Sequence, residues 1–262
     1  MSRRRRQKQM RLAIMNIGVA IAIVALAGYA IMSIQPPEYD EMTLCFEDVD
    51  APPHTAIILD KTDEYSFEEA EFIAAVIRRE SDRLDVGERL TLFELDERGE
   101  FNPRGEFSLC NPGRGSQVNP LFQNPEKIEE RYAELFEAPL QEVLDDLVTP
   151  KEAPASPILE AIARLSQTEN FSRDVDERRL VVVSDMLQNS DIFSAYSSAP
   201  LPESADISEM VENRFGDELD GVNMEVRLIP RKGRADQQRG ELRDFWDDVL
   251  GDLGVDTRWR DL

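Results

Sequence analysis

From Leu12 to Ile34 the chain is apolar at nearly every position, with Asn16 and Ser33 as its only clearly polar side chains. A helix of that length rises about 34 Å, enough to cross a hydrocarbon core of ~30 Å, so the stretch predicts a transmembrane helix over 12–34. Beyond it the pattern breaks into short periodic segments. "HTAIILD", 54–60, reads as a strand entered through Pro52-Pro53. In 66–84, Phe67, Ala70, Ile73, Ala74 and Ile77 share one face of an amphipathic helix, with Ser66 as N-cap and Glu69 three residues on. Residues 89–96 form a strand apolar enough to be covered on both faces, and "EFSLC" is a short strand inside a loop over 97–124. A helix over 124–148 is expected to break at Pro139. Ser156 and Pro157 suit the N-cap and first turn of the next helix. "RRLVVVSDM" has the continuous apolar run of a central parallel strand, and "NMEVRLIP" is another strand after a polar stretch, 187–221, of weak helical signal. "DQQRGELRDFWDDVLGDLG" reads as a final helix burying Leu242, Phe245, Trp246, Val249 and Leu250.

Strands alternating with helices predict an α/β fold: a doubly wound, mainly parallel sheet flanked by helices. The expected organisation is a basic tail at 1–11, a transmembrane helix at 12–34, a linker at 35–53 and the α/β domain at 54–262. Charge orients the first two. "MSRRRRQKQMR" carries Arg and Lys but no acid, whereas the flank after the apolar run, "QPPEYDE", is acidic. The positive-inside rule then puts the N-terminus in the cytoplasm and the domain outside it, which is the periplasm if the source is a Gram-negative bacterium. The alternative is a cleaved signal peptide with "ALA" at 25–27, although the apolar run exceeds the usual length of such segments.

The whole chain has 30 Lys and Arg against 53 Asp and Glu, a formal net charge of −23. That balance disfavours nucleic acid, whose phosphates need a basic footprint. It suits a basic partner or a divalent cation, or simply a solvated acidic surface. Cys45 and Cys110 both follow the apolar run, and an oxidising compartment permits a disulfide between them; two unpaired, buried cysteines are the other reading.

Candidate chemistry gathers at strand ends, where open α/β sheets bind their ligands. Asp60-Lys61-Thr62-Asp63-Glu64 follows the first strand, and Ser184-Asp185 follows "LVVV". Ser156 opens a helix between them. Carboxylates and hydroxyls on one edge offer hard oxygen ligands for Mg²⁺ or a similar ion. Plainer roles stand beside this: Asp60 and Asp185 as helix caps, Ser156 as an N-cap, and His54, the only histidine, as a strand residue. Trp259 in the tail is a candidate docking residue.

The order of these motifs resembles the von Willebrand factor A-type domain over roughly 54–254. That family carries DxSxS after its first strand, a Thr before a helix and an Asp after its fourth strand. Asp60 and Thr62 match the first two positions of DxSxS, Ser156 the Thr, and Asp185 the final Asp, while Glu64 stands where the family has Ser. The resemblance implies a sheet ordered 3-2-1-4-5-6 and a metal-ion-dependent adhesion site of Asp60, Thr62, Glu64, Ser156 and Asp185. The site would hold Mg²⁺, Mn²⁺ or Ca²⁺ and leave a position open for a partner's carboxylate.

The function expected is a membrane-anchored, extracytoplasmic module that binds another protein. One alternative is a scaffold subunit of an envelope complex with a vestigial metal site; a second is a metal-dependent hydrolase. The last has little to stand on, since the chain lacks a G-x-S-x-G elbow, a P-loop and a histidine set for zinc.

Overall fold

A computed structural model describes residues 3–33, 38–62, 65–100, 102, 105–118, 120, 123–146 and 153–261. The chain divides into two units, Met1–Glu38 and Tyr39–Leu262. The first holds α1, Arg3–Ser33. Its large apolar side chains from Ile14 to Tyr29 are all exposed, so the helix has no buried stripe of its own. Among the described residues, no helix is long and apolar enough to cross a membrane. The part of α1 with a continuous run of described side chains, 13–29, is shorter than the expected span of 12–34.

The second unit is a six-stranded sheet of order β3-β2-β1-β4-β5-β6. Its strands are β1 His54–Asp60, β2 Arg89–Leu95, β3 Phe107–Cys110, β4 Arg178–Ser184, β5 Asn223–Leu228 and β6 Asp256–Asp261. Every pairing is parallel except β2 with β3. All seven residues of β1 are buried, as a central strand covered on both faces requires.

Alternation along the strands sends side chains into two cores. Ala56, Ile58, Leu180 and Val182 pack with α5 Ile158–Leu165, α6 Ser204–Phe215 and α8 Glu241–Asp252. Ile57, Leu59, Val181 and Val183 pack on the other face with α2 Phe67–Arg83, α3 Pro125–Tyr132 and α4 Ala138–Asp146. The expected α/β class, with helices on both faces of a mostly parallel sheet, is what the chain forms.

Several local expectations need correction. Phe67 is 72% exposed, because it sits just after the cap, and α2 instead buries Ile73, Val76, Ile77 and Glu80. The capping box itself forms: Glu69 N donates to Ser66 Oγ at 3.2 Å, and Ser66 N donates to Glu69 Oε2 at 2.7 Å. Pro139 does not break its helix. A π turn, Ala133–Glu137, precedes it, and this wider winding absorbs the ring and the missing N–H. The last helix is two, α7 Ala235–Arg239 and α8, parted at Gly240; α8 buries all five apolar residues expected of it. Trp259 is no free tail residue. It lies in β6, where its Nε1 donates to Asp247 Oδ1 at 2.6 Å and its ring packs against the core.

Residues 39–53, read from sequence as linker, belong to the second unit. Cys45 and Cys110 form a disulfide with their Cα atoms 4.8 Å apart. Phe46 then covers Gly87, whose φ of +89° suits glycine and where a Cβ would lie 2.7 Å from the Phe46 ring.

Candidate functional site

The register of the sheet builds the site. One residue beyond the Leu59–Val183 pair, Asp60 and Ser184 emerge side by side at the carboxyl ends of β1 and β4. This is the point at which the strand order reverses. Asp60 is 4% exposed and gathers hydroxyls from three segments. Its Oδ1 accepts from Thr62 Oγ1 at 2.6 Å and from Thr62 N at 3.1 Å. Its Oδ2 accepts from Ser184 Oγ at 2.7 Å and from Ser156 Oγ at 3.2 Å.

Ser156 therefore does not cap the helix that follows it. Pro157 occupies the cap position of α5 with no side-chain cap bond. The Ser156 backbone is held instead by paired bonds with Asn189, N to O at 3.0 Å and O from N at 2.9 Å, which aim its hydroxyl at Asp60. Gln188, fully buried, takes over the cap: its Oε1 accepts from Leu159 N at 3.0 Å.

The loop after β4 is tightly turned. Met186 holds a φ of +57°, a conformation that costs a non-glycine residue of order 1–3 kcal/mol. Hydrogen bonds on both sides secure it: Met186 N donates to Ser184 Oγ at 2.8 Å, and Trp246 Nε1 donates to Met186 O at 3.0 Å. Asp185 is 3% exposed; its Oδ1 accepts from Leu187 N at 2.8 Å and its Oδ2 from Arg231 Nε at 2.8 Å. Beside the site, a cleft of about 720 Å³ opens at the ends of β1 and β2, with Lys61, Thr62, Glu94, Asp96 and Glu100 in its wall. Lys61 Nζ, buried, donates to Glu94 Oε1 at 3.0 Å.

The chain thus brings Asp60, Thr62 and Ser156 into direct contact and sets Asp185 one residue past Ser184. Glu64 lies outside the described residues. Ser184 was named among the polar groups at the strand end but given no place in the site. Arg231 escaped the sequence reading, although "RLIPR" places it just past the end of β5, the position that had drawn attention to Asp60 and Asp185.

The oxygens of Asp60, Thr62 and Ser156 are of the hard type that Mg²⁺, Mn²⁺ or Ca²⁺ prefers. The charge around them does not suit a further cation, because the second carboxylate, Asp185, already holds a guanidinium. Among the described residues, no three His, Cys, Asp or Glu side chains are grouped to hold a metal ion. Nor, among the described residues, does the site hold a nucleophile–base pair of the hydrolytic kind. His54 stands at the opposite end of β1, bonded to Asn170 O and Thr91 Oγ1.

No family model matches the chain, and no curated protein is similar to it in sequence. Among solved structures it is similar to two crystal structures of the pilus adhesin SpaC from Lactobacillus rhamnosus GG, one of them in an open conformation. The identities are 9% and 8%, with a TM-score of 0.41 in each. The match covers 82% of this chain but only 28% and 29% of the adhesin. A likeness this distant says nothing about what this chain binds.

Proposed function

We propose that this chain is a membrane-anchored protein-interaction module whose α/β unit recognises another protein through the carboxyl edge of its sheet. The observation that carries the reading is the gathering of Thr62, Ser156 and Ser184 hydroxyls on the one buried carboxylate of Asp60. That arrangement fixes the ends of β1 and β4 and the start of α5 in one rigid frame. The loops that leave the frame, 185–203 after β4 and the start of the one after β2, 96–100, are then presented from a firm base, as recognition loops usually are. Among the described residues the same geometry offers no acid–base pair and no activated nucleophile, and this supports binding over hydrolysis.

Anchoring rests on α1, whose apolar side chains face outward along its described length and call for an apolar surrounding. The basic tail places that end in the cytoplasm and the α/β unit outside. The Cys45–Cys110 disulfide supports an oxidising compartment. Mg²⁺ dependence is not part of this reading, since Arg231 already neutralises Asp185. The strongly negative surface favours a partner that is basic where it meets the unit.

Photo-cross-linkers introduced into the full chain in cells test both halves. Replacing Glu97 or Tyr196, at the carboxyl edge, should trap one discrete product. Replacing Glu177, exposed at the opposite end of β4, should not. The product should persist in a chelator, and the chain should resist extraction of membranes at alkaline pH. Equal labelling from all three positions would sink the edge assignment, and release by alkaline extraction would sink the anchor.

A further inference from the structure

In the resemblance, a metal ion joins the carboxylates at the ends of the first and fourth strands. Here a side chain of the protein reaches the same edge. Arg231 comes from the loop just after β5, and its Nε donates to Asp185 Oδ2 at 2.8 Å. Its Nη1 lies 3.7 Å from Glu69 Oε1 in the first turn of α2, and the guanidinium sits 6.0 Å from the centre of the Tyr65 ring. One cation thus touches the ends of β4 and β5 and the entry to α2.

The placement is built, not incidental. Gln238, 2% exposed on α7, ties the two loops together. Its Oε1 accepts from Arg231 N at 2.8 Å, while its Nε2 donates to Asp185 O at 2.8 Å and to Ile229 O at 3.0 Å. The backbone that delivers the cation and the backbone that delivers the carboxylate are therefore held in fixed relation. Glu69 is fixed as well, because its other oxygen closes the capping box with Ser66 N. Arg231 itself is only 20% exposed.

We infer that Arg231 is the site's own cation: its tethered guanidinium takes the electrostatic place of a divalent ion at the carboxyl edge, so the site is complete without metal. A guanidinium is always charged and its planar fork suits carboxylates, whereas an ion must be captured from solution. A divalent cation approaching Asp185 would have to break a charge-assisted bond and lie against a positive charge. Removing Arg231 takes away both that bond and that positive charge, and leaves the Asp185 carboxylate, an oxygen donor of the hard type that Mn²⁺ and Mg²⁺ accept, open to an ion.

The test is Mn²⁺ titration of the full chain in detergent, followed by the loss of the free-ion paramagnetic signal. Variants are Arg231→Ala, Arg231→Gln and Arg231→Ala/Asp185→Asn, the last defining background binding to an acidic surface. The wild type should match that background, and its melting temperature should not move on adding Mn²⁺ or a chelator. At least one single variant should gain a one-to-one site tenfold or more tighter, which the double variant loses. A wild-type site tighter than that background would overturn the inference, as would folded single variants that bind no better than wild type. If both single variants unfold, recovery of structure on adding Mn²⁺ supports the inference, and failure to recover overturns it.

Discussion

At the residue scale, the chain's single histidine has a defined physical role. His54 is 1% exposed, its Nδ1 lies 2.6 Å from Asn170 O and its Nε2 2.8 Å from Thr91 Oγ1. A carbonyl can only accept, so Nδ1 carries the proton and Nε2 accepts from the Thr91 hydroxyl. Burial, with a smaller contribution from the charge of Arg89, pushes the imidazole pKa down from 6.5 to about 4, against the opposing bond to Asn170. The unfolded chain therefore takes up a proton between pH 6.5 and 4 that the folded chain refuses. This contribution to stability is complete above pH 6.5, falls as the pH drops below it, and is gone near pH 4. The size is on the order of 3 kcal/mol. Urea unfolding of wild type and His54→Gln across pH 4 to 7 should show the stability difference between them shrinking with acid. A constant difference would mean that the imidazole titrates as in a free peptide.

At the element scale, α2 is bound to the sheet by charge as well as by apolar packing. Glu80 is fully buried on the face of α2 that covers the sheet. It meets Arg179 from β4, Arg227 from β5 at 3.3 Å and Arg83 one turn along at 3.3 Å. Arg227 is itself only 4% exposed, and burial lowers its pKa despite the opposing pull of Glu225 and Glu80. Taking one partner from a buried cluster leaves the others uncompensated, at a cost of roughly 3–5 kcal/mol. Glu80→Gln should lower the unfolding free energy by about 3 kcal/mol, and adding Arg227→Met should restore part of it. Strictly additive losses in a double-mutant cycle would show that the two residues do not interact. None of this was legible in the helix pattern, since a glutamate at 80 reads as solvated until the β5 arginine is known to lie beneath it.

At the scale of the whole molecule, two long-range terms act in opposite directions. The disulfide links residues 65 apart in sequence and pins 39–53 to the sheet beside β3. Closing a loop of that length should stabilise the unit by about 2–4 kcal/mol, so reduction of the full chain should lower its melting temperature without abolishing the fold. An unchanged melting temperature on complete reduction would show that packing alone holds the segment. The net charge of −23 works against compactness by self-repulsion. Salt screens that repulsion, so raising NaCl from 0.1 M toward 1 M should increase the melting temperature. A decrease would mean that ion pairs such as the Glu80 cluster outweigh the repulsion.

The sequence by itself determined whatever depends on near neighbours: the bounds of β1, the capping box at Ser66 and Glu69, the apolar face of α8, and the alternation of strand and helix that makes the class α/β. Local periodicity and cap chemistry are enough for these, because hydrogen bonds three or four residues apart and burial on one face leave their mark within a short window. Only the tertiary structure decided what depends on distant partners. It turned the Ser156 hydroxyl from capping α5 to binding Asp60, and gave the cap to Gln188. It recruited the polar run at 256–261 as an edge strand because β5 offered an unpaired edge. It also set Arg231 on Asp185, across an interval of 46 residues that no local pattern spans. Strand ends are brought together by sheet order and register, and so the charge at their meeting point belongs to the fold.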